Sequence, residues 1–296
     1  MENIVDKYLF FGMGYSSTQS ARFVRKHARD ELEIYGSVRS QEVCKKLEFE
    51  NIKSYIFTGL KANAELNQPI AQASHIINSI APDANGDAVY NYYFEQLNKA
   101  KNLKWLCYYS TVGVYGNHNG LWVDENSKCE PKNIRSQQRI KAENLWQDFA
   151  EQKNIPLLIL RLAGIYGQGR SSFEKLKKGT AKRIIKENQV FNRIHVKDIA
   201  RVTMLAAKQK LNGIFNLSDD EPAPPHEVVE YACKISGLDL PPKEKFEDAN
   251  MSEMARSFYN DNKHVSNKAI KNALNIELLY PNYRTGLNSI LQQEEF

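Results

Sequence analysis

The sequence predicts an α/β fold, a doubly wound parallel sheet, on three observations. Short apolar runs rich in strand formers recur through the first two-thirds of the chain. Helical patterns separate them, as in the spacing of Ala142, Leu145, Trp146 and Phe149. The first run ends in a glycine turn that leads straight into an amphipathic helical pattern. Strands that are apolar on both faces need cover on both, and helices crossing between parallel strands supply it.

The first strand is the run Tyr8, Leu9, Phe10 and Phe11, closed by Gly12 and Gly14. Residues 32–39 form the second and residues 54–57 a short third. Residues 75–80 form the fourth, stopped by Ala81 and by Pro82, which has no N–H to donate to a ladder. Residues 105–109 and 157–160 are the fifth and sixth, and residues 214–217 are a later strand. Ligands of such sheets bind at the carboxyl ends of the strands, so the residues just after each strand are the candidates for function.

After the first strand, the order strand, glycine turn, helix aims backbone N–H groups and the positive end of a helix dipole at one point, which suits a pyrophosphate. Gly12 permits the turn, and Gly14 lets phosphates approach the backbone through Tyr15, Ser16 and Ser17. Ser17 stands where a G-x-G-x-x-G pattern has its third glycine, and is small enough to keep helix and strand close. After the second strand, a carboxylate for the 2′-hydroxyl of NAD is expected, and none is present. Ser37, Arg39 and Ser40 stand there instead, a set that suits the 2′-phosphate of NADP. The competing reading of Arg39 is a surface arginine on a loop. Ala81 and Pro82, and Leu162 and Ala163 after the sixth strand, are further candidate cofactor contacts.

The chain has 296 residues and a net charge of +5, with bases scattered among acids. That balance argues against a nucleic-acid groove. Four cysteines without close pairing point to free thiols in a reducing cytoplasm. No stretch reaches membrane-spanning length, and no His, Cys, Asp and Glu spacing suggests a metal site. The expectation is a soluble, cytoplasmic protein that binds a small molecule.

Three further stretches follow the glycine turn in order: Ser110-Thr111-Val112-Gly113-Val114-Tyr115-Gly116, then Arg161-Leu162-Ala163-Gly164-Ile165-Tyr166-Gly167-Gln168-Gly169-Arg170, then Arg193-Ile194-His195-Val196-Lys197-Asp198-Ile199-Ala200. The set resembles the extended short-chain dehydrogenase/reductase family, which includes the NAD-dependent epimerases and dehydratases. The resemblance is good over residues 7–220 and closest to atypical members with a worn glycine motif. It implies a Rossmann domain of residues 1–165 plus 194–216, and a smaller C-terminal substrate lobe of residues 166–193 plus 217–296. It also implies homodimers paired through helices near 86–101 and 134–152.

The family's catalyst is a Ser or Thr, a Tyr and a Lys four residues beyond the Tyr. Thr111 matches the first. Alignment on Glu143 puts Arg135 at the Tyr position and Arg139 at the Lys position, and no Tyr lies between Tyr115 and Tyr166. Arginine stays protonated near neutral pH and cannot shuttle a proton as a phenol does. The plainer reading pairs Arg139 with Glu143 one helical turn on and leaves Arg135 on the surface. Arg170 and Arg193 sit where the family's substrate lobe begins, and a guanidinium fork suits an anionic substrate such as a nucleotide-sugar. Asp198 reads as a helix cap, and His195 as a structural hydrogen-bonding residue. Two functions remain: an NAD(P)-dependent epimerase, dehydratase or reductase with altered proton-transfer groups, or an NAD(P)-binding sensor or assembly protein that has lost hydride chemistry.

Overall fold

The computed structural model describes residues 5–28 and 31–293. They form two compact units. The first comprises the chain up to Thr111, Ile134–Arg161 and Ile199–Phe215. The second comprises Val112–Asn133, Leu162–Asp198 and the chain from Asn216 onward.

The first unit is built on the expected sheet: β1 (Asp6–Phe11), β2 (Leu32–Val38), β3 (Lys53–Ile56), β4 (His75–Asn78), β5 (Trp105–Thr111), β6 (Leu157–Leu162) and β7 (Gly213–Leu217). The strand order is β7-β6-β5-β4-β1-β2-β3. β1 pairs in parallel with β2 and β4, β2 with β3, and β4 with β5. The chain winds one way from β1 and the other way from β4, so the carboxyl ends of these two neighbours form the switch point. Three strand ends lie two residues from the expected ones, and one of them, β6, runs on through Arg161 to Leu162, so Leu162 belongs to the strand and does not follow it. β4 stops at Asn78, whose side chain accepts the Ile80 N–H at 3.0 Å and turns the chain. β5 continues through Ser110 to Thr111.

Among the described residues, five α-helices precede β6 and cover this sheet: α1 (Tyr15–His27), α2 (Gln41–Glu48), α3 (Asn67–Gln72), α4 (Ala88–Lys99) and α5 (Ile134–Lys153). Leu9, Phe11, Ile76, Leu106, Tyr108 and Ile159 of the strands pack with Val89, Tyr93 and Leu97 of α4 and with Ala142, Trp146 and Phe149 of α5. Each large aliphatic or Phe side chain among them contributes about 1.5–3 kcal/mol on burial. Asp87 joins three of these elements. It caps α4 through the Tyr90 N–H at 3.0 Å, and accepts from the Trp146 indole at 3.1 Å and the Asn78 amide at 3.0 Å. Elsewhere in the unit, the Tyr109 hydroxyl joins Ser20 of α1 at 2.8 Å and Thr203 of the helix Val196–Gln209 at 2.6 Å.

The second unit has a core of Tyr166, Phe173, Val228, Ala232, Tyr283 and Leu287. It contains three short parallel pairs: Gly164–Tyr166 with Arg193–His195, Arg183–Ile185 with Lys243–Lys245, and Trp122–Val123 with His264–Val265. The last pair explains why residues 112–133 group with this unit although the expected division put them in the first. Asp198 does not cap the helix Val196–Gln209 from outside, as the sequence suggested. It lies within the first turn and accepts the N–H groups of Leu279 at 2.7 Å and Tyr280 at 3.0 Å, anchoring the later chain. His195 is buried, and its Nδ1 accepts the Lys197 N–H at 3.2 Å. Burial pushes its titration down to about 3, so it stays neutral and structural.

Candidate functional site

The turn after β1 is locked from three sides. Gly12 has φ +81°, the left-handed region, and a Cβ there would come within 2.8 Å of the Ile80 side chain. Its N–H donates to the Ser37 hydroxyl at 2.9 Å, and the Met13 N–H donates to the Ser37 carbonyl at 2.8 Å. The Ser79 hydroxyl donates to the Gly12 carbonyl at 2.7 Å and accepts from Ser17 at 2.8 Å. Ser17 is therefore more than a small residue between helix and strand: buried, it ties α1 to the chain after β4. Ser37 is also fully buried, and its hydroxyl holds the turn.

Gly14 stands in contrast. A Cβ there would meet only the Gly12 carbonyl, at 4.0 Å. Open space thus lies over the N-terminus of α1, where no side chain caps the helix and no acid occupies the first turn. A helix end with no side-chain cap, its dipole and the room beside Gly14 fit a dinucleotide pyrophosphate at Tyr15 and Ser16, while the Gly14 N–H itself donates to the Gly12 carbonyl at 2.7 Å. At the end of β2, Arg39 and Ser40 are exposed. Arg39 has no hydrogen bond or ion pair among the described residues, and the Ser40 side chain makes no cap bond to α2. Arg39 is thus an uncommitted cation at the end of the strand next to β1. Beyond β4, Ala81 is exposed and Pro82 half-buried.

At the end of β5, Thr111 is half-buried. One turn of α5 separates Arg135 from Arg139. Arg135 is exposed without a partner among the described residues. Arg139 donates from Nη1 to the Tyr109 carbonyl at 2.6 Å and to the Tyr108 hydroxyl at 3.0 Å. Its guanidinium carbon lies 5.5 Å from the Tyr108 ring centroid. The expected Arg139–Glu143 pair does not form. Glu143 is 2% exposed and pairs instead with Arg161 of β6 at 2.7 Å, while accepting the Ser110 hydroxyl. A buried carboxylate takes the partner that gives it a forked, desolvated contact. Tyr108 is the phenol beside Arg139, and burial raises its pKa despite the nearby guanidinium, so it stays protonated at neutral pH.

In the second unit, Leu162 and Ala163 are buried, and the Ala163 N–H donates to the Leu217 carbonyl at 3.0 Å. Arg170 is exposed on a turn bridged by Gly167. Arg193 is half-buried, and its Nη1 donates to the carbonyls of Phe191 at 2.9 Å and Ala223 at 3.0 Å. Its Nε and Nη2 are bound to no group among the described residues. Tyr115 donates its hydroxyl to Asn216 at 2.8 Å, which makes it a packing residue. The structure therefore brings Gly12, Gly14, Tyr15, Ser16, Ser17 and Ser37 together at the turn, and sets Arg139 against β5 two residues before Thr111, while Arg135 stays exposed one helical turn away. The Glu143–Arg161–Ser110 set was missed, as was Asp219, buried beside Arg193. Its position among Asp220 and Glu221 gives it the look of a solvated acidic loop. Among the described residues no three His, Cys, Asp or Glu gather to hold a metal, and no helix is long and apolar enough to cross a membrane.

The sequence model of the NAD dependent epimerase/dehydratase family matches residues 58–218, more than half of the chain. Among solved structures, a functionally unknown conserved protein from Silicibacter pomeroyi is 37% identical, covers 98% of this chain and 99% of its own, and superposes with a TM-score of 0.86. UDP-glucuronic acid 4-epimerase from Bacillus cereus in complex with NAD is 16% identical over 97% of each chain, with a TM-score of 0.74. dTDP-glucose 4,6-dehydratase from Bacillus anthracis in complex with NAD is 16% identical over 97% of this chain and 96% of its own, with a TM-score of 0.76. The last two likenesses show a shared fold. No curated protein matches the sequence.

Proposed function

The chain belongs to the NAD-dependent epimerase/dehydratase family, and from that premise we propose that it binds NADP in preference to NAD and acts on an anionic small molecule such as a nucleotide-sugar. The observation that carries the cofactor half is the locked turn with its open, uncapped helix end. Arg39, exposed and unpaired, supports NADP. The bound cofactor supplies a hydride acceptor or donor. The protein supplies a pyrophosphate cradle at Tyr15 and Ser16 beside Gly14, a cation at Arg39, and a hydroxyl at Thr111. Arg193, with donors uncommitted, supports an anionic substrate, as do the nucleotide-sugar enzymes that share the fold.

Oxidation of an alcohol also needs an acceptor for its hydroxyl proton. Neither Arg135 nor Arg139 serves at neutral pH. Arg139 is moreover held against β5 by two hydrogen bonds. This favours a second reading, a protein that retains the cofactor and has lost hydride chemistry. Fluorescence titration with NADPH, followed by incubation of the loaded protein with nucleotide-sugars and product analysis by mass spectrometry, separates the readings. Conversion of any sugar establishes the enzyme, and tight NADPH binding without conversion of any establishes the second reading. Absence of NADPH binding overturns both.

A further inference from the structure

The second unit holds a buried carboxyl that the proposed function does not use. Asp219 is 1% exposed. Its Oδ1 accepts the Glu221 N–H at 3.3 Å, while its Oδ2 is buried with no hydrogen-bond partner. Its own N–H donates to the Arg193 carbonyl at 2.6 Å, which fixes the segment against the strand Arg193–His195. The Arg193 guanidinium is half committed, through Nη1, to the Phe191 and Ala223 carbonyls. The two side chains feel each other's charge, yet make no ion pair among the described residues.

The other charged groups around them are satisfied or neutral. Asp220 is taken by Lys271 at 3.2 Å and by the Asn267 amide at 2.7 Å. Glu221 pairs with Arg284. Tyr166 on the facing strand, and Tyr259 and Tyr283 near Arg193, are phenols that burial keeps protonated. Asp198, near Tyr166, is occupied by the Leu279 and Tyr280 N–H groups. Among the described residues Arg193 is the cation that acts on Asp219, and Asp219 is the facing acid with a buried oxygen that no group binds.

We propose that Asp219 sets the charge that Arg193 offers to an anionic ligand: protonated, it leaves the guanidinium charge to the ligand, and ionised, it cancels it. The inference rests on the reading of Arg193 as an anion-binding residue. Burial without a full set of donors disfavours the carboxylate, and holds its titration up at about 8 against the pull of Arg193. An anion on Arg193 adds a like charge and raises that value further. Binding therefore takes up a proton above about pH 8, and affinity falls there by about tenfold per pH unit. Asp219 acts through Arg193 and is a positioning residue for charge.

Sulfate is the probe, because it does not titrate in this range. The full chain, with the cofactor's own phosphate positions first filled by saturating NADPH, is titrated calorimetrically with sulfate from about pH 6 to about pH 10, in buffers of different ionisation enthalpy. The parent is expected to show flat affinity below about pH 8, a tenfold fall per unit above it, and uptake of about one proton per sulfate on the alkaline side. Asp219→Asn is expected to bind sulfate with no such fall. Arg193→Gln is expected to lose the binding, while NADPH binding in the same samples is unchanged. A parent that takes up no proton, or an Asp219→Asn variant that keeps the parent's slope, overturns the inference while leaving the anion-binding reading in place. A parent that binds no sulfate, or an Arg193→Gln variant that binds it as the parent does, overturns both.

Discussion

The Arg139 guanidinium donates to the main-chain carbonyl of Tyr109 at 2.6 Å, and so pins α5 to β5 two residues before the strand ends at Thr111. Arg139, placed by sequence at the family's lysine position, thus has a structural task. The same Nη1 reaches the Tyr108 hydroxyl.

Arg139→Ala should therefore cost stability whether or not the protein is an enzyme. Hydrogen bonds from a charged group are worth about 1.5–3 kcal/mol, and the loss here falls near the lower end because Arg139 is only half-buried. The midpoint of urea unfolding should drop with an unchanged slope. An unaltered midpoint would show that water replaces the guanidinium at no cost.

The two glycines of the turn should separate binding from folding. Gly12→Ala forces a side chain into the left-handed region and against Ile80, so it should lower stability and binding together. Gly14 has φ −89° and open space around its missing Cβ. Gly14→Val should fold nearly as well as the parent yet weaken NADPH binding by at least about tenfold, or ~1.4 kcal/mol. Equal NADPH affinity in parent and Gly14→Val, by fluorescence titration, would move the pyrophosphate elsewhere.

The legibility of this chain followed the range of the interactions involved. Alternating apolar runs and helical spacing are local, and they placed all seven strands of the main sheet. The turn at Gly12 was equally readable, because a left-handed glycine before a helix is a short-range signal. The partners of charged side chains were not. Glu143 and Arg139 are one turn apart on α5, and local spacing favours their pairing. Burial instead gave Glu143 to Arg161, 18 residues away on β6. Ser37 shows the same limit. Its place at a strand end suggested a ligand contact, and only the packing of β1 against β2 revealed that its hydroxyl binds the Gly12 N–H. Asp219 was illegible because three consecutive acids look solvated, and burial of the first depends on the whole second unit.

Stability should fall on acidification through His75. This residue is 4% exposed, stacks on Tyr8 with ring centroids 4.5 Å apart, and burial pushes its titration down from 6.5 to about 4. The unfolded chain binds the proton more readily, so the stabilisation is complete above about pH 6.5 and is lost as pH falls toward 4. Across that window the loss is on the order of a few kcal/mol. His75→Gln should flatten this part of the stability–pH profile measured by urea unfolding. A variant with the parent's acid slope would exclude His75 as its source.

Cofactor choice should turn on Arg39. A charge-assisted contact to phosphate contributes about 1.5–3 kcal/mol, roughly ten- to a hundredfold in affinity. Arg39→Asp removes the cation and supplies the carboxylate that a ribose 2′-hydroxyl prefers, so it should reverse an NADP preference to NAD. The side chain is exposed and unpaired, so no stability change should accompany the switch. Equal affinity of the parent for the two cofactors would remove Arg39 from the site.

Arg135 and Arg139 lie one helical turn apart, the spacing of the family's Tyr and Lys, and Thr111 ends the neighbouring strand. A phenol there would accept the proton that leaves a substrate hydroxyl as hydride passes to the cofactor, and a lysine would lower the phenol's pKa. General acid–base catalysis of this kind contributes about 10²–10⁴-fold. The parent should accordingly show alcohol oxidation slower by that factor than a protein with the pair. Arg135 is exposed, so Arg135→Tyr disturbs no contact. Arg139→Lys forfeits the second of the Nη1 bonds but keeps a cation within reach of the Tyr109 carbonyl, so the double variant should still fold. Its stability, measured by urea unfolding, should lie between those of the parent and Arg139→Ala. If the rest of the apparatus is intact, the double variant should gain NADP reduction with a nucleotide-sugar, followed by absorbance. The gain should depend on pH as a phenol does, rising toward the alkaline side. A well-folded, NADPH-binding double variant with no gain would mean that the surrounding residues no longer present a substrate to the nicotinamide. The reading as a cofactor-holding protein without hydride chemistry would then stand.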